Sequence, residues 1–214
     1  MDLWNQYKKV LFDTFSDLEC SETWAEWTGN GMDLTAKTYT SPHILKSREV
    51  EIWNEKSCIY NNIIYPKTGS NLPCFGMDLM GFFDKKVILV FDFQHPEPNY
   101  KYDNPFLSCH IADLRDNTSR DIRFFEAGNH FSDYIYVRNC TMSEVNDHLE
   151  NFTRYLTAYK DMVECSCPNG TDTSVYREFD QYMKNLDPVG GYLANKFGKD
   201  RSESLVNDFL FCYG

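Results

Sequence analysis

The chain has 214 residues, 42% hydrophobic and 16% aromatic, with a formal net charge of −11. That length suits one domain or two small ones, and the apolar share is enough for a sizeable core. The charge argues against non-specific binding to nucleic acid or anionic membranes. No apolar run approaches a membrane span, and the start, Met1-Asp2-Leu3-Trp4-Asn5, lacks the basic and apolar segments of a signal peptide.

In chain order, the spacing of Leu3, Tyr7, Val10, Leu11, Phe15 and Leu18 predicts an amphipathic helix over 3–18. Trp24-Ala25-Glu26-Trp27 and a Gly29-Asn30-Gly31 turn follow. Strands are then predicted over 34–40, 45–53, 58–65, 72–80 and 86–93. The connections between them are too short for crossover helices, so consecutive strands should pair antiparallel as a meander. From His95 to about Arg123 the sequence reads as a long irregular connection, and 131–138 as one more strand. Helices are predicted over 143–163, 174–186, 190–197 and 202–211, with a loop over 165–172. One helix, then strands, then helices implies an α+β fold: an antiparallel sheet covered by helices on both faces, in three α/β/α layers. With no internal repeat and no linker, a single domain over 1–214 is expected.

The eight cysteines show no metal-ligand spacing, and without a signal peptide the expected compartment is a reducing cytoplasm. No P-loop, dinucleotide fingerprint, nucleophile elbow or HExxH motif occurs, so nucleotide, flavin and metalloprotease chemistry lack support. Three polar residues interrupt apolar patterns: Asn61, Asp78 and Asp187. Asp78 lies in Leu72-Pro73-Cys74-Phe75-Gly76-Met77-Asp78-Leu79-Met80. A carboxylate in so apolar a strand must find a partner, shift its pKa upward, or both. Backbone donors satisfying a structural acid are the plain alternative. Asn61 and Asn62 are adjacent amides inside a strand, where Asn is a poor former. Asp187, followed by Pro188 at a helix end, also fits ordinary turn and cap chemistry. His95 and His130 are candidate site members, although a loop His is more often structural. Arg138, ending an apolar strand, could clamp a carboxylate. The many aromatics could line a pocket for a large conjugated ligand, or simply fill a core.

Several segments together resemble the ferredoxin-dependent bilin reductases. They are Tyr65-Pro66-Lys67 with Leu72–Leu79, Phe91-Asp92-Phe93-Gln94-His95-Pro96, Gly128-Asn129-His130-Phe131-Ser132, Asn185-Leu186-Asp187-Pro188-Val189, Asn195-Lys196-Phe197-Gly198 and Val206–Phe211. Their shared order runs from about Trp4 to Tyr213, and the phycoerythrobilin-forming branch known from cyanophages is the most similar. The resemblance implies an α/β/α sandwich holding biliverdin IXα between the sheet and the C-terminal helices. It implies a monomer with no bound metal or flavin, and electrons arriving singly from reduced [2Fe-2S] ferredoxin through substrate radicals. Asp78 matches the family's central catalytic Asp, and Asp187 the acid on the opposite side used in a second reduction. Asn61 stands where the phycocyanobilin-forming branch has a His, so vinyl reduction is not expected. Pro188 stands where that branch has a propionate-binding Lys, and Glu49 aligns with a glutamate that the branch uses; without that His, Glu49 is expected to be structural or a weak helper. Arg138 matches the propionate-binding Arg, and Met77 and Phe91 are expected to touch substrate. Because ferredoxin is acidic, Lys67, Lys85, Lys86, Lys196 and Lys199, with Arg201, are candidate docking cations. The implied reaction is four-electron reduction of biliverdin to phycoerythrobilin through 15,16-dihydrobiliverdin. A two-electron enzyme stopping at dihydrobiliverdin and a non-redox bilin carrier are the alternatives.

Overall fold

The computed structural model describes residues 3–67, 71–83, 85–115, 130–166, 174–186 and 189–213. Seven strands form one antiparallel sheet in strict sequence order: β1 (Glu19–Gly29), β2 (Met32–Thr40), β3 (Ile44–Trp53), β4 (Ser57–Pro66), β5 (Cys74–Phe82), β6 (Lys86–Gln94) and β7 (Tyr136–Cys140). The meander is as the short connections require. β1 is additional to the predicted strands: it carries the Trp24–Trp27 stretch and pairs with β2 through the two-residue turn Asn30-Gly31. Both turn residues have positive φ, 47° and 70°, the hairpin geometry that Asn-Gly favours.

Helices cover both faces, giving the three-layer α/β/α sandwich. On one face lie α1 (Asn5–Thr14), α2 (Pro105–Ile111) and α3 (Leu149–Cys165). α2 lies in the connection read as irregular. Its start is built from Asn104, whose Oδ1 accepts the Phe106 N–H at 2.9 Å, and Pro105 in the first turn. α3 begins after a 3₁₀ turn over Val145–His148. This layer and the sheet share the main core, in which Phe91, Phe93, Phe152, Tyr155 and Tyr159 are fully buried. Buried tyrosines reach backbone acceptors, as Tyr7 does on Val145 O (2.7 Å) and Tyr159 on Ile64 O (3.0 Å).

On the other face lie α4 (Ser174–Leu186), α5 (Val189–Phe197) and α6 (Lys199–Ser204), continued by a π-helical turn over Leu205–Leu210. Their apolar residues pack in separate groups. Leu193, Phe197, Leu205 and Phe209 cover the β1–β3 side, and Tyr176, Phe179 and Tyr213 cover Ile63, Tyr65 and Cys74.

His95, beyond β6, is fully buried and stacked on Tyr100 at 3.6 Å between ring centroids. Its Nδ1 accepts the Glu97 N–H at 3.0 Å. Burial draws its pKa from 6.5 down to about 4. A histidine that stays neutral when folded but takes a proton when unfolded stabilises the fold above pH 6.5, and loses that contribution as pH falls toward 4. We expect wild type to lose about 3 kcal/mol more than His95→Gln between pH 6.5 and pH 4 in urea melts, from the size of this shift.

Candidate active site

β4 and β5 pair so that Asn61 stands directly opposite Asp78. The Asn61 amide Nδ2 donates to Asp78 Oδ1 at 2.8 Å. The same cross-strand row continues to Val50 on β3, Val90 on β6 and Val137 on β7. The pair thus sits at the middle of the sheet, flanked by aliphatic side chains. Strand alternation separates the two adjacent amides: Asn62 faces the other side, 1% exposed, and its Oδ1 accepts from Ser47 Oγ at 3.1 Å.

The centre of a doubly covered sheet is normally its most buried place. Here Asn61, Asp78 and the neighbouring Ile59, Met80 and Ile88 are half-buried. On the same face, Ile63, Tyr65, Cys74, Gly76 and Asp92, toward the other end of the strands, are buried. The face under α4–α6 is therefore less tightly covered around Asn61 and Asp78 than at the Tyr65 end. It is closed at the Tyr65 end by Tyr176, Phe179 and Tyr213, while the side chains toward the β3–β4 and β5–β6 turns are half-buried.

Sequence reasoning missed Asp92, which hid in a strand-like run. It stands opposite Gly76 at the closed end, fully buried. Its carboxylate accepts the Ser132 N–H at 3.0 Å and the Ser132 hydroxyl. Burial holds its pKa well above the usual carboxylate range. His130 lies beside it, its Nδ1 on His95 O at 2.9 Å and its ring against Tyr182 and Phe179. Arg48, also on this face, is 3% exposed with its guanidinium over the Phe211 ring at 5.7 Å.

Other expected site residues lie on the opposite face of the sheet from Asp78. Met77 and Phe91 pair with each other across β5 and β6, one residue out of phase with Asp78 and Val90. They point into the α3-side core, where Phe91 stacks on Tyr136 at 4.4 Å. Arg138 pairs with Leu89 on that same side. Its guanidinium lies 4.5 Å from the Tyr136 ring centroid, and Nη1 donates to Val137 O at 2.8 Å. Glu49 also faces away, accepting from Tyr60 (2.9 Å) and Tyr39 (3.2 Å), with burial raising its pKa. The motifs hold adjacent residues, and adjacent strand residues point to opposite faces. Asp187 and Pro188 lie outside the described residues. The lysines divide: Lys85, Lys86, Lys196 and Lys199 share one end of the sheet, while Lys67 lies at the other, its Nζ donating to Pro42 O at 2.8 Å.

The sequence matches the family described as ferredoxin-dependent bilin reductase over residues 15–212. A relative from Gloeobacter violaceus, named 15,16-dihydrobiliverdin:ferredoxin oxidoreductase, is 28% identical over 81% of this chain and 76% of its own. A relative from Prochlorococcus marinus, named phycoerythrobilin:ferredoxin oxidoreductase, is 28% identical over 77% of this chain and 70% of its own. The fold is shared with the crystal structure of phytochromobilin synthase from tomato in complex with biliverdin. That similarity has a TM-score of 0.75 at 16% identity, covering 97% of this chain and 82% of the other. The family match spans nearly the whole chain, and the chain belongs to the ferredoxin-dependent bilin reductases.

Proposed function

We propose that the protein reduces biliverdin IXα by four electrons to phycoerythrobilin, through 15,16-dihydrobiliverdin, with electrons from reduced ferredoxin. The single observation behind this reading is the half-open Asn61–Asp78 pair at the centre of an otherwise apolar sheet face. In this reading the flat conjugated pigment lies between that face and the C-terminal helical layer. Each stage adds an electron pair and a pair of protons to the pigment. An electron placed on a conjugated tetrapyrrole raises its basicity, so an acid held against it can pass over a proton at neutral pH. Asp78 serves the 15,16 methine bridge, and Asp187 the A-ring diene. Asn61 is an amide without a titratable proton, so it positions Asp78 and does not supply protons. Two relatives carry 15,16-dihydrobiliverdin and phycoerythrobilin in their names, which supports this reading.

The test is the absorption spectrum of the product after anaerobic turnover with biliverdin, ferredoxin and a ferredoxin-reducing system. Wild type should end at phycoerythrobilin, and Asp187→Asn should accumulate 15,16-dihydrobiliverdin. If wild type itself stops at dihydrobiliverdin, the two-electron alternative replaces this reading. Pigment binding with no reduction at all would leave a bilin carrier.

A further inference from the structure

We infer that reduced ferredoxin docks on the end of the sheet formed by the β1–β2, β3–β4 and β5–β6 turns, centred on Lys56, Lys85 and Lys86. The inference rests on the function proposed above and assigns the surface through which electrons enter. In a strict meander these three turns lie at one end, and β7 finishes there as well, since Cys140 pairs with Val87. The loop tips are tied together: Phe83 N donates to Lys56 O at 3.0 Å, and Asn30 Nδ2 donates to Lys196 O at 2.9 Å.

Three independent features converge there. First, Trp53, Met142 and Tyr192, the exposed large hydrophobic residues among those described, all sit at this end. Trp53 closes β3, Met142 follows β7, and the Tyr192 hydroxyl points to Met32 Sδ at the start of β2 (3.7 Å). Second, six cations lie there although the chain carries a formal charge of −11; Glu55, Asp200 and Glu203 stand among them, and Lys199 is paired with Glu203 at 3.5 Å, which leaves Lys56, Lys85 and Lys86 as the centre of the patch. Lys56, Lys85 and Lys86 are exposed on adjacent turns, and Lys196, Lys199 and Arg201 lie at the α5–α6 junction over the β1–β2 turn. Glu144, an acid on this rim, is turned back onto the Thr141 N–H at 2.8 Å. Third, Ile59, Met80 and Ile88, on the Asp78 face toward this end, are only half-buried.

A hollow of about 420 Å³ lined by Phe83, Lys85, Lys86 and Met142 lies within the patch. With strands about 4.8 Å apart, the end of a seven-stranded sheet is roughly 29 Å wide. Weak redox encounters bury under about 1,200 Å² in total, or a disc roughly 28 Å across on each partner. The patch thus has the size, the exposed lysines and the apolar centre for a small acidic electron carrier, at the end of the sheet where the Asn61–Asp78 face is half-buried. Lys67 is at the opposite, closed end.

The test compares the triple variant Lys56→Glu/Lys85→Glu/Lys86→Glu with Lys101→Glu, which lies beyond β6 at the other end. Ferredoxin-driven turnover is followed at several ionic strengths, and biliverdin binding by absorbance titration. The triple variant should raise the KM for ferredoxin about tenfold or more and lose salt sensitivity. It should bind biliverdin as wild type does and keep kcat at saturating ferredoxin, and Lys101→Glu should match wild type throughout. An unchanged KM in the triple variant, or a raised KM in Lys101→Glu or Lys67→Glu instead, overturns the docking site while wild-type turnover still supports the proposed reaction. If wild type binds biliverdin but ferredoxin drives no reduction, reaction and docking site fall together.

Discussion

Asp78→Asn should bind biliverdin with little change and lose turnover by roughly 10²–10⁴-fold, the range removed with a positioned proton donor. The side chain stays the same size, and its Oδ1 can still accept the Asn61 amide that Asp78 accepts at 2.8 Å. What disappears is the exchangeable proton and the charge. Electrons should still arrive, so the variant should hold a reduced, unprotonated pigment, visible as a long-lived radical by electron paramagnetic resonance. Asn61→Ala provides the contrast. It removes a positioning contact and leaves the acid, so the loss should be smaller and the product the same. Turnover of Asp78→Asn at the wild-type rate would remove Asp78 from the chemistry.

Phe91→Ala should destabilise the fold by about 3–5 kcal/mol, as for other large aromatic deletions in cores. Phe91 is fully buried, stacked on Tyr136 at 4.4 Å and edge-on to Phe152 and Tyr155 at 5.3 and 4.9 Å. These rings join β6, β7 and α3, and no helix-layer motion refills the gap cheaply. The measurement is the urea midpoint with and without Phe91, together with a biliverdin titration under conditions where the variant is folded. Because the ring faces the α3 layer, the folded fraction should bind pigment with wild-type affinity. Weakened binding by fully folded protein would return Phe91 to the Asp78 face. Phe91→Leu, which keeps most of the volume, should recover much of the stability.

The meander of β2 to β6 was legible because each interval between those apolar runs is too short for a crossover. Asn61 and Asp78 were legible as polar residues inside those runs, and their direct opposition follows from the register. β1 was not, because its burial pattern is mostly exposed and it offers one buried residue, Ala25, where an alternating strand would offer several. Its signals were the β-forming Thr23, Trp24 and Trp27 and the Asn-Gly turn that follows. α2 had a legible start in Asn104-Pro105, obscured by the irregular residues before it. The face taken by Met77, Phe91 and Arg138 was not legible for a different reason. Membership of a motif does not say which face of the sheet a residue takes, and a shift of one position along a strand reverses it. Asp92 escaped notice because its partner, Ser132, is 40 residues away in sequence.

The open flank of the sheet carries its own protection. β1 has a partner on one side only, and a bare row of amides and carbonyls can recruit a strand from another molecule. Its ladder is interrupted twice, between Cys20 and Glu22 and between Thr23 and Ala25, so a straight intruder cannot stay in step along it. Glu19, Glu22 and Glu26 add exposed negative charge along the strand. Two such borders brought together would repel, so sheet growth ends at the first strand and self-templated stacking along that border is blocked.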